Sequence, residues 1–345
     1  MITQISLNPM RCRSDNMIPK HSASSHTNDQ TIRAHVLHAI AANRFPGLHF
    51  PGHFLDIEWK DISGGTARAI LHDGLHCRNT DGTINIVALG ILADHVLAAS
   101  VRTGTPPGAR LGTIHLRLQF TGEAITGDIN TTSLLLGYSE GVTLRQSLAS
   151  GIMHAQGKPI CHASGEFVLL DPPPGVTLGP LPWERAEPPS ILQVDIGKLE
   201  SHESTILKAC DAALAKSSPQ TSFIQNFWGG APRRSKYGAN NRVVIGPHIG
   251  NRVGHVQGGI LLGLAATNAC AAAPASMMLS NVSVWYISPG RGDKLKIRSC
   301  IVHTGRTIAV VRTEIKTTGG ERVLEAVSQH MTCNGNGLQT KPPCP

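Results

Sequence analysis

Two stretches of this sequence put reactive side-chain types where an apolar chain has no structural need of them. In the first, Asn251-Arg252-Val253-Gly254-His255-Val256-Gln257-Gly258-Gly259 runs straight into an apolar, small-residue segment that continues to Ala273. Two glycines at a helix start let a ligand or another backbone approach, and the free amides and positive dipole end there favour a developing oxyanion. A carbonyl clamp is one reading of Gly258 and Gly259; close helix packing is the other. In the second stretch, Asp94 sits among Ile91, Leu92, Ala93, Val96 and Leu97. A carboxylate buried in such a segment is costly without a partner or a task, so it reads as a general base or nucleophile, or as a structural acid bonded to backbone.

Other motifs fit chemistry less well. Gly137-Tyr138-Ser139-Glu140-Gly141 matches a nucleophile elbow, but Val142-Thr143-Leu144 continues as a strand where a helix is required, so a hairpin turn is expected. His72, His76 and Cys77 lack a fourth ligand at a recognisable spacing, and no metal site is assigned. Arg291-Gly292-Asp293 reads as a tight turn.

The elements that must hold Asp94 and Gly258 follow from periodicity. Ile32, Val36, Leu37, Ile40 and Ala41 predict a helix that stops before Pro46. Leu55–Trp59 and Ala67–Leu71 alternate as strands, 84–101 is a helix too apolar for a surface, and strands follow at Thr113–Phe120, Thr131–Tyr138, Val142–Met153 and Ile160–Leu170. After the proline-rich stretch that begins at Asp171 the programme repeats. A helix is expected near Glu203–Lys216, an extended segment at Arg242–Ile245, a helix at Gly258–Ala273, and four strands between Leu279 and Thr332. Adding 172 to Asn79 gives Asn251, and adding it to Leu92-Ala93-Asp94 gives Leu264-Ala265-Ala266, so the chain reads as an internal duplication. The expected organisation is an arm over 1–30, domains over 31–170 and 200–335, a linker over 171–199 and a tail over 336–345. Each domain is an antiparallel sheet wrapped around one helix, an α+β class.

Composition agrees with two globular units. The chain has 345 residues, and 41% hydrophobic against 16% charged residues excludes disorder of the whole. No apolar run reaches about 18–20 residues, and Met1–Gln30 lacks the pattern of a secretory signal, so a soluble cytoplasmic protein without membrane contact is expected. Eight cysteines without a CxxC pair suit reduced thiols. A net charge of +8 invites polyanions, but no nucleic-acid-binding motif accompanies it, so no nucleic-acid partner is assigned.

An Asn six residues before a polar residue followed by Gly-Gly, with Leu-Ala-Asp inside the helix, resembles the PaaI-type hotdog acyl-CoA thioesterases across both copies. The resemblance implies a double hotdog, two antiparallel sheets each around a central helix. It also implies hydrolysis of an acyl-CoA or acyl-carrier-protein thioester, coenzyme A being part of the substrate and no separate cofactor being needed. In such enzymes one unit supplies the Asn and Gly that polarise the carbonyl, and the other the helix carboxylate and a strand Ser or Thr. Here that division gives one composite site of Asn251, Gln257 and Gly258 with Asp94 and Thr113. The opposite combination of Asn79 and Ile86 with Ala266 and Leu279 is dead. Gln257 replaces the family's His and cannot carry a proton, which leaves open a non-catalytic thioester binder, or a dehydration or isomerisation of a thioester-bound intermediate. Gly259 and His255 are candidate substrate contacts. Arg102, Arg233, Arg234 and Lys236 are candidates for the coenzyme A phosphates. Pairing of such chains into homodimers is implied as well.

Overall fold

The computed structural model describes residues 22–45, 48–106, 109–140, 145–171, 175, 180–184 and 194–332. The first half builds α1 (Ser22–Asn43), α2 (Phe50–Phe54), β1 (Glu58–Ser63), β2 (Thr66–Leu71), α3 (Ile86–Arg102), β3 (Arg110–Phe120), β4 (Ile129–Glu140), β5 (Arg145–Ala155) and β6 (Lys158–Leu170). The second repeats the order as α4 (Ser201–Leu214), α5 (Phe223–Trp228), β7 (Arg233–Ser235), β8 (Gly238–Val244), α6 (Gly258–Ala272), β9 (Met277–Tyr286), β10 (Lys294–Thr304), β11 (Ile308–Thr317) and β12 (Arg322–Thr332). The starts of α3 and α6 differ by the same 172 positions that relate Asn79 to Asn251.

Each half is a hotdog unit. The apolar helices α3 and α6 are buried along nearly their whole length, each against the sheet of its own half. The two expected sheets are joined into one of 12 strands, in the order β1-β2-β4-β5-β6-β3-β9-β12-β11-β10-β8-β7. The seam is the antiparallel pair β3–β9, running from His115 opposite Trp285 to Gln119 opposite Asn281.

On the helical side of that seam α3 and α6 cross at van der Waals distance of their backbones. A Cβ at Gly90 would fall 2.4 Å from the Gly259 carbonyl oxygen, one at Gly259 2.3 Å from that of Gly90, and one at Gly263 2.4 Å from the Val87 Cα. Glycine is required at this crossing because any side chain would force the helices apart. The close approach carries Asp94 of the first half to the N-terminus of α6 in the second.

Three expectations need correction. Residues 22–30, expected within an arm, are helical. The polar turns continue a helix already anchored by Ile32, Val36 and Ile40, and extending a helix is far easier than starting one. The remainder of that arm, residues 1–21, and the tail lie outside the described residues. Two short elements, α2 and α5, carry too few residues for a period; their rings Phe50, Phe54, Phe223, Phe227 and Trp228 pack together and tie the halves. The linker is not simply extended: Pro182–Glu184 makes a 3₁₀ turn, Leu181 is buried, and Trp183 packs on Trp59 with ring centroids 4.5 Å apart. The hairpin turn expected at 137–141 is the third correction: residues 137–140 continue strand β4, and 141–144 lie outside the described residues. His72 bonds Glu58 and Asp128 through its two ring nitrogens. Among the described residues no helix is long and apolar enough to cross a membrane.

Candidate active site

The approach to α6 is a loop held by its own polar atoms. The Asn251 Oδ1 accepts the backbone N–H groups of Val253 and His255, each at 3.0 Å, and Gly254 takes the left-handed φ of 79° that closes the turn. Gln257 then caps the helix, its Oε1 accepting the Ile260 N–H at 2.8 Å. The other end of the same carboxamide crosses between the halves: Gln257 Nε2 donates to Asp94 Oδ2 at 2.6 Å.

Asp94 receives two more donors. Thr113 Oγ1 donates to Oδ1 at 2.9 Å, and the Gly259 backbone N–H also points at the carboxylate. Burial raises the Asp94 pKa to about 6, against the lowering effect of the Thr113 and Gly259 bonds and the Arg102 charge. A buried acid with that affinity keeps its negative charge at neutral pH yet accepts a proton readily, which is what a general base needs.

Gly258 is the first residue of α6, so its N–H has no carbonyl partner within the helix. A Cβ there would lie 2.9 Å from Asp94 Oδ2, so only glycine leaves both the acid and the amide accessible. The Gly258 carbonyl accepts from the Tyr286 hydroxyl at 2.7 Å; burial, with Asp94 nearby, pushes that phenol's pKa well above its ordinary value. Asp94, Thr113, Asn251, Gln257, Gly258 and Tyr286 all line one cavity of about 390 Å³.

The corresponding positions of the other combination hold different chemistry. Thr113 adjoins a register shift in β3 and Leu279 adjoins the matching shift in β9, which makes Leu279 its counterpart. Asn85, at the Gln257 position, caps α3 by accepting the Val87 N–H at 2.8 Å and donates to Asn79 Oδ1 at 2.7 Å. Ala266, at the Asp94 position, is buried.

Of the expected substrate contacts, His255 and Arg102 line the cavity. Burial, then the charge of Arg110, holds the His255 imidazole below its usual range. Gly259 is a correction: it belongs to the helix crossing and its N–H serves Asp94. Arg233, Arg234 and Lys236 are a further correction. They lie exposed on or beside β7, the last strand of the sheet, and Lys236 is spread over the Tyr237 ring. A run of charges reveals solvation, and where its strand sits is decided by pairing far away in sequence.

Several lining residues escaped sequence reasoning. Arg110 and Arg252 face the cavity, as do Leu181 and Trp183 from the linker. His49 and His95 also line it, with their Nε2 atoms 3.4 Å apart; burial lowers both, His95 to about 3, so the pair is neutral. The His at 95 directly follows the buried acid, which was the one signal available.

Residues 248–331 match the family model described as the acyl-CoA thioesterase N-terminal domain. No curated relative matches the chain. Among solved structures, a 12:0-ACP thioesterase from Umbellularia californica is similar over 78% of this chain and 95% of that one, at 12% identity and a TM-score of 0.47. An acyl-CoA thioesterase II from Mycobacterium marinum is similar over 81% and 98%, at 12% identity and 0.43. A Bacillus halodurans protein solved with CoA is similar over 41% and 100%, at 22% identity and 0.37. The fold is a double hotdog, and residues 248–331 of its second half are similar to the acyl-CoA thioesterase N-terminal domain.

Proposed function

We propose that this protein hydrolyses acyl thioesters at one composite site, with Asp94 as the general base. The observation that carries the reading is the meeting of the Asp94 carboxylate, from one half, with Gln257 and Gly258 at the helix start of the other. In this reading the Gly258 N–H and the Asn251 Nδ2 hold the thioester oxygen. Asp94 takes a proton from water as its oxygen bonds to the carbonyl carbon, and the oxyanion forms against those two donors. The carbon–sulfur bond then breaks, and the departing sulfur takes the proton back from Asp94. Gln257, spent at both ends on Asp94 and the helix cap, acts as a positioning residue. Thr113 holds the same carboxylate from the other side.

The matched element order and the shared bulge support an origin by duplication, and the division of donors and acid supports the PaaI-type comparison. Coenzyme A or a carrier protein enters as part of the substrate. A cytoplasmic setting fits the reduced, buried thiols of Cys77, Cys161 and Cys210. Exposed Met278, Trp285, Val327 and Met331 on the strands around the seam give two chains a surface on which to pair.

Free thiol released from a panel of acyl-CoAs tests the reaction, with Asp94→Asn alongside. Equal release by wild type and variant overturns the assignment. Product mass separates hydrolysis, which adds water, from dehydration or isomerisation, which Gln257 in place of a protonatable residue keeps in view. Binding without turnover would mark a thioester-binding protein.

A further inference from the structure

Arg102 is a cation held by backbone and not by an acid. It is half-buried at the end of α3, its Nη1 donates to the Ala109 carbonyl at 3.0 Å, and among the described residues no carboxylate lies within ion-pair distance of it. Burial lowers its pKa to about 10, with the neighbouring Arg252 charge adding to the effect and Glu184 and Asp94 opposing it. Arg102, Arg110 and Arg252 all line the cavity that holds Asp94.

The spacing of these groups is fixed twice over. Asp94, Ala98 and Arg102 share one face of α3, and eight residues of helix separate the charges by about 12 Å along the axis. On the facing chain, Thr113 bonds Asp94 and Ala109 bonds Arg102, four residues and roughly 13 Å apart. The wall between them is Ala98 and Leu111, with Phe167 beside them: apolar side chains offering no hydrogen bonds.

Resting on the thioesterase reading, we propose that the substrate's acyl chain carries a terminal carboxylate, bound by Arg102 with Arg252 beside it, so that short dicarboxylic thioesters are the preferred class. A few methylenes suit the apolar span, and an anion at its end suits the arginines. The phosphates of coenzyme A are a poorer match. They are separated from the sulfur by the whole pantetheine arm, whose two amides need polar partners that Ala98, Leu111 and Phe167 do not supply.

The test compares glutaryl-CoA with pentanoyl-CoA, of equal chain length, in wild type, Arg102→Leu and Arg102→Lys, and repeats the pair as pantetheine thioesters lacking the nucleotide phosphates. A preference for the carboxylated chain on the order of 10–100-fold in kcat/KM is expected, as for a charge-assisted contact. It should collapse in Arg102→Leu, survive partly in Arg102→Lys, and persist on pantetheine. No preference in wild type, or an Arg102→Leu loss that falls equally on both chains and vanishes on pantetheine, overturns the proposal. Calorimetric binding of the matching thioether analogues separates the two readings. If no thioester is cleaved but the carboxylated analogue binds more tightly through Arg102, the hydrolase reading falls and this one stands. Equal binding of both analogues overturns this one.

Discussion

The carboxamide of Gln257 and the carboxylate of Asp94, 163 residues apart in the chain, meet at 2.6 Å across the crossing of α3 and α6. Neither helix alone makes a site: one brings an acid with no donors, the other donors with no acid.

Asp94→Asn keeps the shape of that meeting and removes the base. Thiol release is expected to fall by about 100–10,000-fold, the range general-base catalysis supplies. Single-turnover kinetics with excess enzyme checks that the loss is in chemistry and not in product release. The same variant reports on stability. An acid whose folded pKa is raised, here from 3.8 to about 6, costs stability as pH climbs through that interval and goes on costing it above. Asp94→Asn should therefore gain on wild type in denaturant midpoint between about pH 4 and about pH 7.

The rate should depend on pH through the same group. Protonated Asp94 cannot take a proton from water, so kcat/KM is expected to rise with an apparent pKa of about 6. The Thr113 hydroxyl favours the ionised form by donating to it. Thr113→Val removes that donor, raises the pKa and should move the rising limb to higher pH. A limb that stays in place would assign it to another group.

Adjacent glycines should fail in different ways. A methyl at Gly258 meets the Asp94 carboxylate at 2.9 Å, so Gly258→Ala is expected to lose about 100–1,000-fold in turnover, as for an oxyanion donor, with little change in melting temperature. A methyl at Gly259 meets the Gly90 carbonyl oxygen at 2.3 Å, so Gly259→Ala must separate two helices and should cost about 1–3 kcal/mol or more of stability. Urea unfolding and steady-state kinetics on both variants distinguish the roles.

The counterpart position should be a purely structural one. Asn85→Ala removes the cap of α3 and is expected to cost about 1 kcal/mol while turnover is retained. Titration with a tight thioether analogue should give one site per chain; two would show that the opposite combination, Asn79 and Ile86 with Ala266 and Leu279, still binds.

Much of this was legible in sequence. The apolar runs that became α3 and α6 needed only their composition, and the offset of 172 paired Asp94 with Ala266 and Asn79 with Asn251 before any contact was known. What sequence could not convey was direction. Asn251 looked like a carbonyl donor, and half of its amide turns out to brace the loop. Gln257 was expected in the composite site, but nothing in the sequence said that its amide would grip the acid. Arg233, Arg234 and Lys236 stood out because they are consecutive or nearly so; Arg102 was named with them, whereas Arg110 and Arg252 come from two other elements and join it only once the sheet and helices are assembled. The short α2, α5 and β7 were missed because three to six residues show no period.

The β3–β9 seam also constrains how substrate gets in. With strands zipped across the middle and glycine backbones pressed together above them, the halves are joined in both layers, and a clamshell opening would tear both at once. The coil that lines the cavity, the strap around Leu181 and Trp183, the turn at Asn251–His255 and the bend that follows Tyr286, is then where substrate is expected to enter. Substitutions in these connectors are therefore expected to alter substrate entry while leaving the seam and the helix crossing intact.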